Sequence, residues 1–279
     1  MKKKKVIYDI ITAGSATIDI FVDTANKLFC ERVPFGEKIL IDKLHLDIGG
    51  GAINTGIAFT RLGLKTGVLA KVGPEFVAPK EIDDSLIIRD KNAFTDHSII
   101  LDATGKDRTI LVYKDASIKL DFSEIRLPET KWIYLSSMPL DFLEKIADLN
   151  VKFALNTRQA PKRLLEKTDI LILNKEEAEA LGDDIKKPKI CVITDKNNPV
   201  KAFSQGVIHS ITPHKNIKCL ERTGAGDAFA SGFTAGIILK NNIDFALKLG
   251  LANSESVIQH YGAHNKLLTY DEACKLIKS

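Results

Sequence analysis

Short apolar runs rich in isoleucine and valine alternate along this chain with segments whose apolar residues recur every three or four positions. Runs at 6–13, 66–72, 132–135, 153–155, 170–173 and 190–193 predict buried strands. Between them, 52–62, 141–149, 162–167, 175–181 and 226–240 predict helices. Strands apolar on both faces and separated by helices belong in a parallel sheet covered on both sides. The expected fold class is therefore α/β, a three-layer sandwich about a mostly parallel central sheet. Two stretches break the rhythm: 18–47 and 96–112 alternate apolar and polar residues, as strands with one wet face do. The second holds the turn cluster Ala103-Thr104-Gly105-Lys106-Asp107, a hairpin signal. Together they predict a small antiparallel β lid, built from segments about 16–47 and 95–113. With no repeat or linker visible, 1–279 is expected to be one domain.

Composition narrows the class. A chain of 279 residues, 44% hydrophobic and 27% charged, is long enough to bury a substantial core. The net charge of +4 is spread along it, and the one basic cluster, the four lysines at 2–5, suits a solvated terminus. Nucleic acid is thereby excluded as the expected partner. The apolar run 6–13 contains Asp9 and is too short for a signal core, and nothing approaches the ~20 apolar residues of a membrane helix. Cys30, Cys191, Cys219 and Cys274 form no Cys-x-x-Cys pair, so they are expected to be reduced packing residues of a cytoplasmic protein.

The candidate chemistry lies in two glycine-rich helix starts. In Glu221-Arg222-Thr223-Gly224-Ala225-Gly226-Asp227, a glycine turn opens a helix that carries one carboxylate on its first turn. Free N–H groups at a helix start bind anions, and glycine lets a phosphate approach the backbone. A carboxylate there would repel a phosphate unless it takes a proton from the attacking group, a combination that points to phosphoryl transfer. As an aspartate at a helix start, Asp227 could also serve the dipole alone. The second cluster, Gly49-Gly50-Gly51-Ala52-Ile53-Asn54, can act as a hinge between lid strands and as a substrate contact, with Asn54 offering both donor and acceptor. Asn156 and Arg158 follow a strand end, where ligands bind in such sheets; surface exposure is the competing reading for Arg158 and for Arg108 in the lid hairpin.

With those motifs in place the chain resembles the ribokinase-like (PfkB) family of carbohydrate and nucleoside kinases. The segment from Gly49 to Gly63 resembles the family's first motif and Thr223-Gly224-Ala225-Gly226-Asp227 its second. Asn174-Lys175-Glu176-Glu177 matches the Asn-x-x-Glu between them, and the order agrees across nearly the whole chain. No Gly-x-x-x-x-Gly-Lys-Ser/Thr loop is present, and Gly-x-Gly-x-x-Phe lacks the third glycine of a dinucleotide fingerprint. The resemblance implies Asp227 as general base, with the N–H groups of Ala225, Gly226 and Asp227, after Gly224, as an anion hole. It implies Asp19, Gly49, Gly50 and Asn54 as substrate contacts, with Asn156 a further candidate. It implies Asn174, Thr194, Thr223, Gly224, Gly226 and Asn253 on ATP, and Glu177 on Mg²⁺ through water.

Three departures qualify the match. Glu221 stands where the family usually has an aspartate that helps bind a monovalent cation, which bears on potassium activation. The family's Thr-x-Gly-x-x-Gly nucleotide loop is represented by Thr194 alone, since Thr194-Asp195-Lys196-Asn197-Asn198-Pro199 keeps neither glycine. After Val72-Gly73-Pro74-Glu75 the stretch to Asp96 is short, so one family helix is expected to be trimmed or absent. The expected activity is ATP-dependent, Mg²⁺-requiring phosphorylation of a hydroxyl on a sugar or sugar-like polyol. A nucleoside kinase, and a non-catalytic sugar or nucleotide sensor, are the alternatives. Exposed lid edges commonly pair, which makes a homodimer through the lid one possible assembly that the sequence does not decide.

Overall fold

The computed structural model describes residues 7–23, 36, 38, 40–102 and 109–278. The lysines at 2–5, Cys30, the 103–107 turn and Arg108 lie outside them. The chain begins with β1 (Ile7–Ala13), β2 (Thr17–Asp23), β3 (Lys43–Gly49) and α1 (Gly51–Arg61). Next come β4 (Thr66–Leu69), β5 (Lys71–Val72), β6 (Ile88–Arg89), β7 (Asp96–Asp102) and β8 (Thr109–Tyr113). The alternating part runs β9 (Glu129–Leu135), α2 (Leu140–Ile146), β10 (Lys152–Leu155), α3 (Lys162–Lys167), β11 (Thr168–Asn174), α4 (Lys175–Leu181) and β12 (Ile190–Asp195). It closes with β13 (Asn198–Ser204), β14 (Val207–Ile211), α5 (Ala225–Lys240), α6 (Ile243–Val257) and α7 (Tyr270–Lys278).

The eight-stranded sheet has the order β14-β13-β12-β11-β10-β9-β1-β4. Pairing is parallel from β12 to β4 and antiparallel through β13 and β14. Period-two alternation splits the strand side chains between two cores. Ile10, Tyr134, Ile172 and Val192 pack with α1, α5 and α6 on one face. Ile11, Leu135, Phe153 and Leu173 pack with α2, α3 and α4 on the other. The three layers follow from strands apolar on both faces.

The small four-stranded sheet has the order β3-β2-β7-β8, its two antiparallel pairs joined by a parallel β2·β7 contact. It leaves the main body at the β1–α1 connection. Across it, Thr17 and Asp19 on β2 and Ser98 on β7 share the face that meets the cleft described below. On the other face, Leu44, Leu46, Leu111 and Tyr113 are exposed.

The apolar run at 66–72 divides, with β4 in the main sheet and β5 pairing with β6. From 73 to 95 there is no helix, as the short spacing implied. The altered 194–199 segment is a tight turn between β12 and β13: Lys196 takes a positive φ of 48° and Asn198 Nδ2 donates to Asp195 Oδ2 at 3.1 Å. The β13–β14 hairpin, α6 and α7 were not anticipated. Among the cysteines described, Cys191 is buried, which pushes its thiol up to about 11, but Cys219 is exposed and so does not pack.

Candidate active site

The site forms where the carboxyl ends of β1, β2's root and the N-termini of α1 and α5 converge. Gly224, the residue before α5, has φ 76°, a left-handed conformation that glycine adopts without strain. A side chain there would lie 2.5 Å from the Ala263 carbonyl oxygen, so the turn is packed against the 262–265 loop as well as bent. Glu221, buried, accepts the Thr223 N–H at 2.7 Å and also the Thr223 hydroxyl, which fixes the approach to the turn. The Ala225 N–H is taken by the Arg222 carbonyl at 3.2 Å. The N–H groups of Gly226 and Asp227 have no hydrogen-bond partner among the described residues.

Asp227 projects from this turn toward α1, and Asn54 Nδ2 donates to its Oδ2 at 2.9 Å. Burial raises the Asp227 carboxyl to about 6; the Asn54 hydrogen bond opposes that rise and the charge of Asp19 adds to it. Asn54 is itself buried and its Oδ1 has no partner among the described residues. Gly50, at φ 94°, opens α1, and Ser15 ties this start down by accepting the Ala52 N–H at 3.0 Å.

Asp19 is 6% exposed on β2 and accepts from the Thr17 hydroxyl at 2.8 Å. Its carboxyl is raised by burial, with Thr17 and Ser98 hydrogen bonds opposing and Asp47 adding repulsion. Gly49 packs on it, because a side chain at 49 would lie 2.1 Å from Asp19 Oδ2. A cleft of about 310 Å³ brings Asp19, Gly50 and Asn54 together with Thr223, Gly224 and Asp227. Among its other lining residues, Ser98, Ile110 and Val112 of the small sheet and Lys114 just past it were missed by sequence reasoning. No local pattern marks those residues; only the pairing of β7 and β8 brings them here.

Other expected residues are placed differently. Asn174 and Glu177 form a reciprocal capping box on α4: the Glu177 N–H donates to Asn174 Oδ1 at 2.8 Å and the Asn174 N–H to Glu177 Oε2 at 3.0 Å. The Thr194 hydroxyl reaches the Leu173 carbonyl at 3.4 Å. Asn156 bonds through Nδ2 to the Ile172 carbonyl at 2.9 Å and does not line the cleft, so its expected substrate contact becomes a tie between strand ends. Asn253 corrects the expectation most: it has no exposure, donates to the Ala228 carbonyl at 2.9 Å and accepts the Leu268 N–H at 3.0 Å. It braces α6 against α5 instead of facing a base. Arg158 is exposed.

A second, more apolar cleft of about 410 Å³ lies on the other side of α6, walled by Ile211, Ile217, Leu251 and Ile277. At its rim Glu255 accepts the His214 N–H at 2.8 Å and meets His214 Nδ1 at 2.8 Å. Among the described residues no cluster of three histidine, cysteine or acidic side chains could hold a metal ion, and no helix is long and apolar enough to cross a membrane.

A parallel sheet, a small sheet at its carboxyl edge and a glycine-opened helix bearing an inward carboxylate define the ribokinase-like class of α/β enzymes. The chain belongs to the pfkB family of carbohydrate kinases, whose model matches residues 9–269. It is similar to the 5-dehydro-2-deoxygluconokinase of Listeria innocua, with 24% identity across 97% of this chain and 96% of that protein. It is also similar to the ATP-dependent 6-phosphofructokinase of Thermoanaerobacterium thermosaccharolyticum, at 22% identity across 92% and 89%. The solved nucleoside kinase of Methanocaldococcus jannaschii has the same fold, with a TM-score of 0.86 over 98% of this chain and 99% of that one at 19% identity. The activity class is that of a carbohydrate kinase, a phosphotransferase with an alcohol acceptor.

Proposed function

We propose that this protein transfers the γ-phosphoryl group of ATP to a hydroxyl of a sugar or sugar-like substrate seated in the cleft between Asp19 and Asp227. The observation that carries this reading is Asp227 itself, held by Asn54 beside the unpaired N–H groups of α5 with its carboxyl near 6. At neutral pH most of it is ionised and basic enough to accept the hydroxyl proton as the oxygen attacks in line. The Gly226 and Asp227 N–H groups, at the positive end of α5, face the transferring phosphoryl group and stabilise charge developing on it. Asp19 orients the acceptor through hydrogen bonds to other hydroxyls, and the small sheet serves as the lid that keeps water out.

The base of the nucleotide is assigned to the apolar cleft beside α6. Support comes from adjacency: Asn253, next to the cleft residue Ala252, bonds to Ala228, next to Asp227. Mg²⁺ neutralises the nucleotide phosphates when bound. Such an ion would retain much of its water, and the described residues, which hold no cluster of three metal-ligating side chains, suit a hydrated ion. Glu177 meets that hydrated ion through Oε1, the oxygen outside its capping box. Two copies pair through the exposed apolar face of the small sheet, and a cytoplasmic location goes with the supply of ATP.

A nucleoside acceptor is the second reading, supported by the apolar wall that Ile110 and Val112 give the cleft. The test is ADP release from MgATP with neutral sugars, sugar acids, sugar phosphates and nucleosides, with Asp227→Asn as the blank. A substrate-dependent signal lost in the variant is expected. A signal that survives in the variant overturns the assignment of Asp227.

A further inference from the structure

Lys114, an exposed residue just past β8, lines the substrate cleft together with Asp19 and Asp227 and forms an ion pair with no acidic residue among those described. Ile110 and Val112 of β8 line the cleft while Leu111 and Tyr113 lie on the sheet's other face, and Lys114, one residue past the end of β8, joins the cleft lining. Its recorded polar contact is with the Ser137 hydroxyl at a long 3.5 Å. Neighbouring lysines are engaged: Lys119 with Asp115 at 2.6 Å and Lys71 with Glu124 at 2.9 Å.

The carboxylates around the cleft do not need Lys114. Asp96, fully buried, accepts the Asp115 N–H at 3.0 Å, the Ser117 N–H at 3.2 Å and the Ser117 hydroxyl. Asp19 is supplied by Thr17 and Ser98, and Asp227 by Asn54. The backbone after Lys114 is fixed by the same Asp96 bonds, by the Phe94 N–H to Asp115 Oδ2 at 2.8 Å and by the Ala116 N–H to the Phe94 carbonyl at 3.1 Å. An ammonium group without an ion pair among the described residues, on an anchored backbone and the one cation among the described residues lining this cleft, is a site suited to an anion.

We infer that Lys114 selects acceptors carrying an anionic group, a carboxylate or a phosphate, at the end of the molecule away from the hydroxyl presented to Asp227. This rests on the kinase reading above and narrows it to anionic carbohydrates. A charged hydrogen bond of this kind changes affinity roughly 10- to 100-fold.

The experiment compares wild type with Lys114→Met and Lys114→Arg, using D-gluconate, D-fructose 6-phosphate and neutral D-fructose. Two readouts are taken: kcat/KM with MgATP, and the shift in melting temperature that each compound gives without turnover. The expected result is a wild-type preference for one anionic probe. In Lys114→Met the anionic-to-neutral ratio of kcat/KM drops 10- to 100-fold, mainly through KM, and Lys114→Arg restores part of it. Which probe responds separates a carboxylate from a phosphate. Equal losses on all three probes, or a wild-type preference for the neutral sugar, overturn the inference. If no probe is phosphorylated the kinase reading fails separately. The melting shifts then decide Lys114: stabilisation by an anionic probe that disappears in Lys114→Met supports it, and its absence refutes it.

Discussion

Replacing Asp227 by asparagine keeps the side chain's shape and its ability to accept from Asn54 while removing the charge. In the folded protein burial lifts this carboxyl from its ordinary 3.8 to about 6. Each tenfold change in that equilibrium is about 1.4 kcal/mol, so ionised Asp227 costs the fold up to roughly 3 kcal/mol, and about 1–2 kcal/mol once solvent in the half-open cleft is allowed for. The folded value lies above the unfolded one, so the native state holds the extra proton between pH 4 and 6. Stability therefore falls as pH rises through that window, and the penalty is fully present above it. Asp227→Asn is expected to raise Tm by about 2–4 °C at pH 8, using about 2 °C per kcal/mol for a chain of this size. At pH 4.5, where the folded wild-type carboxyl is protonated but the unfolded one is still mostly ionised, the gain should shrink to about a third. The assay is paired calorimetry of the two proteins at both pH values. An unchanged or lower Tm at pH 8, or an equal gain at pH 4.5, would refute the claim that a buried charge is maintained here at the expense of stability. The same variant should lose about 10²- to 10⁴-fold in kcat, the usual contribution of a general base.

The remaining expectations follow from the same geometry. Wild-type kcat/KM should drop about tenfold per pH unit below 6, as protonation of Asp227 removes the base; a profile flat down to pH 5 would contradict the role given to it. Asn54→Leu removes the bond that holds the Asp227 carboxyl down, so the acid limb should move to higher pH in a pH–rate profile. Gly224→Ala forces a side chain onto Ala263 at a positive φ and is expected to cost about 1–3 kcal/mol in urea unfolding, with loss of turnover; near-wild-type behaviour would refute the packed-turn description. Asn253→Ala should destabilise by about 1–3 kcal/mol while leaving the KM for ATP within about twofold, since its bonds are internal; a tenfold rise in that KM would return it to the nucleotide site. Leu46→Glu should convert the proposed dimer to a monomer in sedimentation analysis.

What could be read from the chain, and what could not, divides along the range of the interactions. The parallel strands β1, β10, β11 and β12 were legible because burial on both faces writes itself as a short apolar run, as in Ile170-Leu171-Ile172-Leu173 of β11. The starts of α1 and α5 were legible because Gly50 and Gly224 satisfy a local backbone demand, and glycine is the residue that meets it. Asn174 and Glu177 show the limit of that logic: three-residue spacing at a helix start spells a capping box equally well, and the capping box forms. Asn253 shows it more sharply, because a polar residue one helix turn from a cleft looks the same in sequence whether it faces the ligand or the neighbouring helix. What decides is the packing of α6 on α5: a side chain at Gly232 would lie 2.8 Å from the Gly250 Cα, a contact between positions 18 apart in sequence order that no local pattern announces. That close approach brings the amide of Asn253 within reach of Ala228, and the position is spent on holding the Asp227 turn in place. Lys114 is the opposite case, a residue with no local signature whose place in the cleft lining follows once β8 is paired with β7. The carboxylate proposed as the base was thus readable as a candidate because its proposed role depends on its own helix start, whereas the proposed specificity of the cleft depends on strands assembled from distant parts of the chain.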